Sequence, residues 1–231
     1  MDAREKYLNN PCEVSMGPYY NTIRSGLRRD MLIVNDEKYN EVLYRDYEDT
    51  KYIKMINDYS VLKMRPINDH FFLHTVEESN LKDFVNLFNV CYDKEKINQD
   101  DVAKLKKSDY AHRDFWIYAF AKRDFIIDKV KKEKIYAPVG FIVADFDESI
   151  GEVSIKYLGV KEEYRKRGIA YALLKELIFR ACGVSSFLTV TYPADNPYNL
   201  QSLFLKTNFT NPILWHQLKK IKEQPLNEKN S

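Results

Sequence analysis

What this sequence has little of narrows it first. Its 231 residues hold three cysteines, Cys12, Cys91 and Cys182, widely spaced and with no Cys-x-x-Cys pair. Neither a disulfide framework nor a structural zinc site is expected from so few, and a reducing, cytoplasmic compartment fits them. With only 7 Gly and 8 Pro, collagen-like and low-complexity architectures are excluded. No apolar run approaches the roughly 20 residues of a membrane span, so no membrane partner is expected. The opening Met-Asp-Ala-Arg-Glu-Lys-Tyr has charge with no apolar stretch behind it, which is not the pattern of a secretory signal. A surplus of one charge is also missing, because 36 Lys plus Arg stand against 34 Asp plus Glu. Without a broad basic field, nucleic acid is not an expected partner.

What is there suits a folded domain. Hydrophobic residues make up 45% of the chain and charged residues 30%, enough apolar content to bury a core. Residues 1–65, the N-terminal extension, are rich in Tyr, Leu and Ile but irregular. Met31-Leu32-Ile33-Val34 suits a short strand, whereas 44–59 mixes polar and aromatic residues with no clean period. This stretch is expected to be an ordered extension packing on the core. Regularity starts after Pro66, so the domain itself is expected over 66–218, with 219–231 a solvated tail.

Within that domain, His70 to Val76 suits a strand, and Thr75 with Glu78 matches a capping box. Leu81, Phe84, Val85, Phe88 and Cys91 then recur at helical spacing, and Asn98 with Asp101 offers a second helix start. Residues 115–121 and 139–146 read as strands, with a mostly charged hairpin loop over 122–134 that holds a short Phe125-Ile126-Ile127 piece. Over 151–160 the alternation predicts a strand with Val153, Ile155 and Tyr157 on one face. A helix over 169–182, a strand over 187–192, a turn over 193–199 and a short helix over 200–208 complete the pattern. The class is α/β of the mixed α+β kind, a central mixed sheet flanked by helices.

Chemistry concentrates in Tyr157-Leu158-Gly159-Val160-Lys161-Glu162-Glu163-Tyr164-Arg165-Lys166-Arg167-Gly168-Ile169-Ala170. A strand runs into a short polar loop and then a helix. The unpaired N–H groups and positive dipole end of such a helix attract phosphate. Gly168 removes a Cβ that would block close approach, Ala170 keeps the next turn small, and Arg165, Lys166 and Arg167 add cations where a helix normally disfavours them. The cluster reads equally well as a solvated basic loop or as an anion site. It matches neither GxxxxGK[ST] nor GxGxxG.

Arg165-x-x-Gly168-x-Ala170, directly after Leu158-Gly159-Val160, resembles the acetyl-CoA-binding motif of the GNAT N-acetyltransferase superfamily. The strand–helix–helix–three-strand order upstream, and the stretch from Asn196 to Phe209 downstream, are similar to the same family. Leu8-Asn9-Asn10-Pro11-Cys12 and Trp215-His216-x-Leu218 also resemble a GNAT subgroup whose substrates are unassigned.

This resemblance implies acetyl transfer from acetyl-CoA to a primary amine of a small molecule or protein, by direct nucleophilic attack. The strands over 151–160 and 187–192 would splay to admit the pantetheine arm. Leu158, Gly159 and Val160 would pair with that arm, and the amides of Arg165, Lys166, Arg167, Gly168, Ile169 and Ala170 would hold the pyrophosphate. The Val160 N–H would polarise the thioester carbonyl, and Asn196 would contact the cofactor from the opposite wall. Two departures stand out. Phe204 occupies the place of a family Tyr that can protonate the leaving thiolate, and Asn208 occupies that of a Gly. Glu152 is the one carboxylate on its strand and a weak candidate base, expected to face solvent. Tyr192 is expected either to line the acetyl pocket or to pack in the core.

Other features carry less. His70 and His74 lack carboxylates or cysteines at ligand spacing, so no metal is expected. His112 and His216 are isolated and expected to be surface or hydrogen-bonded structural residues. The extension has two readings, part of the acceptor site or an oligomer interface such as that of a homodimer. Two alternatives to the enzyme stand, a non-catalytic acyl-CoA-binding module and a domain whose Arg165–Arg167 cluster binds RNA phosphates.

Overall fold

The computed structural model describes residues 31–61, 70–92, 95–128, 132 and 134–221. Among these, eight strands form one sheet: β1 Met31–Asn35, β2 Tyr47–Asn57, β3 Phe71–Thr75, β4 Ala111–Ile127, β5 Lys134–Asp147, β6 Glu152–Val160, β7 Phe187–Pro193 and β8 Thr210–Lys220. Four α-helices accompany them, α1 Leu81–Cys91, α2 Gln99–Lys106, α3 Ile169–Ala181 and α4 Leu200–Lys206. The sheet order is β1-β8-β2-β7-β6-β5-β4-β3. Every pairing is antiparallel except β6 with β7. This is the mixed α/β architecture expected.

Strand alternation places the core on both faces. On β4, Phe115, Ile117 and Ala119 join α3 residues Leu173, Leu174 and Leu177 on one side. Trp116 and Tyr118 join Phe84 and Phe88 of α1 and Val102 of α2 on the other. A strand covered on both faces reads as a continuous apolar run, which is what Phe115 to Ala119 shows. The capping box of Asn98 and Asp101 forms at the start of α2, with both reciprocal bonds made.

Several expectations need correcting. Thr75 and Glu78 make no capping box: Thr75 ends β3, its hydroxyl accepts from Arg180, and α1 starts at Leu81 after a 3-10 turn over Glu78–Asn80. The 122–134 hairpin is shorter than expected, because β4 runs on through the Phe125-Ile126-Ile127 piece to Ile127 and β5 begins at Lys134. The basic tail starts later, since Lys219 and Lys220 close β8.

The largest correction concerns the N-terminal extension. Two of its segments, Met31–Asn35 and Tyr47–Asn57, do not pack on the sheet but enter it as strands, and β2 lies between β7 and β8. Its polar residues hid it. Lys54 and Asn57 are buried within the strand, and the Asn57 side chain donates to the Thr207 carbonyl at 2.9 Å. β1 then pairs with β8, where buried His216 lies between Asp49 at 2.8 Å and Asp36 at 2.9 Å, stacked on Tyr39. That is the hydrogen-bonded structural role expected of it. Leu8 to Cys12 lies outside the described residues.

If β2 is a core strand, Met55→Ala is costly, because Met55 is fully buried against the α3 side. Urea unfolding is expected to show a loss of about 2–5 kcal/mol. A loss under about 0.5 kcal/mol, the size of a surface effect, would contradict this placement.

Candidate functional site

One irregularity in β6 creates the site. Val143 pairs with Tyr157 but the next residue, Ala144, pairs with Ile155, so Lys156 is an extra residue on β6. A bulge of this kind bends its strand and disrupts the ladder locally. The parallel ladder between β6 and β7 stops at the same place, since its last pair is Ile155 with Val190. Beyond it the two strands separate, and a gap opens between Tyr157–Val160 on one side and the end of β7 on the other. The cross-strand ion pair of Lys156 with Asp145, at 2.7 Å, anchors the extra residue. Burial raises the Asp145 carboxyl from its usual value, against the pull of Lys156.

The bulge also resets the faces. Val153, Ile155, Leu158 and Val160 all lie against the α3 side, whereas Tyr157 joins the α1 cluster. The expectation that Tyr157 shares a face with Ile155 is corrected, because one inserted residue shifts a period of two.

Backbone groups past the bulge point two ways. Lys161 N–H donates back to Val139 on the β5 side. Leu158 N–H and C=O instead meet the Tyr92 hydroxyl, each at 3.2 Å, and Val160 C=O accepts from Arg165 Nε at 3.2 Å. Alternation therefore turns Leu158 and Val160 to the gap, with Gly159 paired to Phe141 of β5. No larger residue fits at Gly159, where a Cβ would stand 2.5 Å from the Phe141 ring and 3.0 Å from Cys91 Cβ.

At the end of β6 the chain enters a 3-10 turn, Glu162–Tyr164, and then α3. Lys166 and Gly168 are both left-handed, at φ +61° and +84°. Left- and right-handed residues in succession curl their amides into a concave, anion-binding face. The first turn of α3 has no acidic residue, and among the described residues no side chain caps it and a Cβ on Gly168 would meet nothing within 4 Å. The start of α3 is thus an open end with free amides. Arg165 spans the mouth of the gap, with Nη1 3.3 Å from the Tyr198 hydroxyl and the guanidinium over that ring. Arg167 lies over Tyr164, whose hydroxyl donates to Asp124 on β4 at 2.8 Å.

The remaining candidates fall in different places. Asn196, on the turn below Tyr198, accepts from the Tyr198 N–H at 2.9 Å. Tyr192 is buried with its hydroxyl 3.5 Å from Met55 Sδ, stacks on Phe204, and has its phenol raised by burial. Glu152 does not face solvent: it is 1% exposed, accepts from the Thr189 hydroxyl at 2.5 Å, and sits at the opposite end of β6 from Val160. Asn208 takes φ +65°, the left-handed conformation in which Asn replaces Gly. Among the described residues no group of three or more His, Cys, Asp or Glu side chains is arranged to hold a metal.

Sequence reasoning missed Tyr92 and Cys91. Cys91 packs on Gly159, and burial pushes its thiol up to about 11 despite Arg165 and Lys161, so it is protonated near neutral pH. Both residues sit at the end of α1, where only the helical period was visible. On the face away from α3, the buried atoms Ser154 Oγ, Thr191 Oγ1, Trp215 Nε1 and Gln217 Oε1 have no hydrogen-bond partner among the described residues. The register puts all four on one side, since Thr191 pairs with Lys54, Trp215 with Tyr52, Gln217 with Thr50, and Ser154 with Thr189, which pairs with Ile56.

A GCN5-related N-acetyltransferase from Sphaerobacter thermophilus superposes with a TM-score of 0.62 at 15% identity, covering 89% of this chain and 66% of that one. A functionally unknown conserved protein from Staphylococcus epidermidis ATCC 12228 gives 0.58 at 15% identity, covering 95% of this chain and 82% of its own. Identities this low speak to the fold alone. No curated protein matches the chain. The family model for acetyltransferases of the GNAT family matches residues 81–200, from the start of α1 to the start of α4. That span takes in the bulge, the gap and the open start of α3, and the chain belongs to the acetyltransferase (GNAT) family.

Proposed function

We propose that this protein transfers acetyl from acetyl-CoA to a primary amine by direct attack, with the arm of the donor lying in the gap between β6 and β7. The observation that carries this reading is the coincidence of the gap with the uncapped start of α3. A pantetheine arm needs strand-like hydrogen-bonding partners, and the gap offers Leu158 and Val160. Pyrophosphate needs amides and positive potential, and the loop from Arg165 to Ala170 offers both. Gly168, with open space where a side chain would stand, leaves the amides reachable.

A carbonyl seated in the gap accepts from the Val160 N–H, which stabilises negative charge as the amine attacks. Asn196 and Tyr198 form the facing wall. The amine approaches from the face away from α3, where Ser154, Thr191, Trp215 and Gln217 hold buried polar atoms without partners among the described residues. The protonated Cys91 is a poor nucleophile, which favours direct attack over an acyl-enzyme. One observation favours the second reading, a non-catalytic acyl-CoA binder: Phe204 is buried between Tyr192 and Phe209 and has no proton to give.

Calorimetry with acetyl-CoA tests the cofactor site, comparing the native chain with Gly168→Glu and Gly168→Ala. Native binding is expected, with Gly168→Glu weaker by at least about tenfold, or about 1.4 kcal/mol. Gly168→Ala adds only a methyl group and left-handed strain, about 1 kcal/mol against folding, and is expected to retain binding. A folded native protein that ignores acetyl-CoA would contradict both readings. Binding without release of CoA thiol on any amine would select the second.

A further inference from the structure

Tyr92 has no part in the reading above, yet its hydroxyl is inside the gap. It caps the end of α1, where its N–H donates to the Phe88 carbonyl and its backbone is extended. The ring stacks on Phe88 at 4.7 Å and meets Tyr157 edge-on at 5.7 Å, so packing fixes its direction. The hydroxyl accepts from Leu158 N–H and donates to Leu158 C=O, both at 3.2 Å. Those are the backbone groups that alternation turns away from β5 and into the gap.

Among the described residues, the side chains bonded to this edge of β6 past the bulge are Tyr92 and Arg165. Arginine does not release a proton in the neutral range. Phe204 offers none, and Glu152 is at the far end of the strand. Burial raises the Tyr92 phenol to about 12, so it is protonated at neutral pH. Its titratable and charged neighbours are Cys91, Glu95, Tyr157 and, at the end of the strand, Arg165.

We propose that Tyr92 is a catalytic residue, the proton shuttle between the attacking amine and the departing thiolate. This rests on the acetyl-transfer reading. The amine lone pair forms the C–N bond to the thioester carbon, and the C–S bond breaks with its electron pair on sulfur. The Tyr92 hydroxyl gives its proton to that sulfur. The nitrogen then loses its surplus proton to the phenolate oxygen, which restores the hydroxyl. The products are a neutral amide and a neutral thiol, and no separate base or acid is consumed. Leu158 N–H, relieved of the hydroxyl, is free to bond to the donor.

Tyr92→Phe tests this, because it keeps the ring stacking and removes only the hydroxyl. Acetyl-CoA affinity is measured by calorimetry. Turnover is followed as CoA thiol release with hydroxylamine as the acceptor, a small amine that is unprotonated near neutral pH, with the uncatalysed rate subtracted. Expected is an acetyl-CoA affinity within about threefold of native and a kcat lower by about 10²-fold. A normal solvent deuterium isotope effect on native kcat should disappear in the variant, and native kcat should show no alkaline fall below pH of about 10, given the raised phenol. Unchanged kcat would overturn the shuttle, and tighter acetyl-CoA binding with unchanged kcat would identify the hydroxyl as a mere occupant of the gap. In an active native protein, unchanged kcat in Tyr92→Phe overturns the shuttle alone, whereas absent acetyl-CoA binding, or binding with no acceleration of thiol release, would remove the acetyl-transfer reading and the shuttle with it.

Discussion

The extra residue at Lys156 governs the rest of the site. A parallel ladder between β6 and β7 would otherwise run on past Ile155 and Val190, and no backbone donor on Leu158 or Val160 would be left for anything else. Inserting one residue bends β6 away from β7 while its antiparallel pairing with β5 resumes at Tyr157. The strand is thus held on one edge and released on the other. Released backbone groups are costly if buried without partners, so the protein fills them locally with the Tyr92 hydroxyl and the Arg165 guanidinium. Both are side-chain contacts that can give way to a ligand, whereas a strand-to-strand ladder cannot do so without unzipping the sheet.

The two ends of the gap are built to different standards. Its floor is dense: Gly159 has no room for a methyl group between Phe141 and Cys91, and Tyr92 is clamped between aromatic rings. Its mouth is open, with left-handed Lys166 and Gly168, an uncapped helix and the exposed Tyr198 beneath Arg165. A rigid floor suits a step that depends on distances of a few tenths of an ångström. An open mouth suits entry and release of a long, charged donor.

Much of this was legible in the sequence and some could not be. The strand over 152–160, the loop of Arg165 to Gly168 and the helix after it show themselves, because a local period and a local motif specify them. The start of α2 shows itself through Asn98 and Asp101 for the same reason. β2 does not, since Tyr47–Asn57 carries buried Lys54 and Asn57 and gains its order from β7 and β8, well over a hundred residues away. Propensity cannot report a partner at that distance. The bulge leaves no trace either: nothing in Ser-Ile-Lys-Tyr says that Lys156 is the residue with none opposite it on β5, so simple alternation puts Tyr157 on the wrong face. Glu152 misled for a related reason, because a carboxylate at a strand end is usually wet, and only the fold brings Thr189 to it. Tyr92 reached the site by ending a helix whose period was visible and whose destination was not.

The central claim is that β6 keeps a free edge for a donor arm, and amide hydrogen exchange along the strand tests it most directly. Exchange is measured residue by residue in the free protein and in the presence of saturating acetyl-CoA. The account predicts that Gly159, bonded to β5, is protected in both states, while Val160 exchanges readily when free and becomes protected on binding. A Val160 amide already as protected as Gly159 in the free protein, or one unchanged when acetyl-CoA is bound, would contradict it.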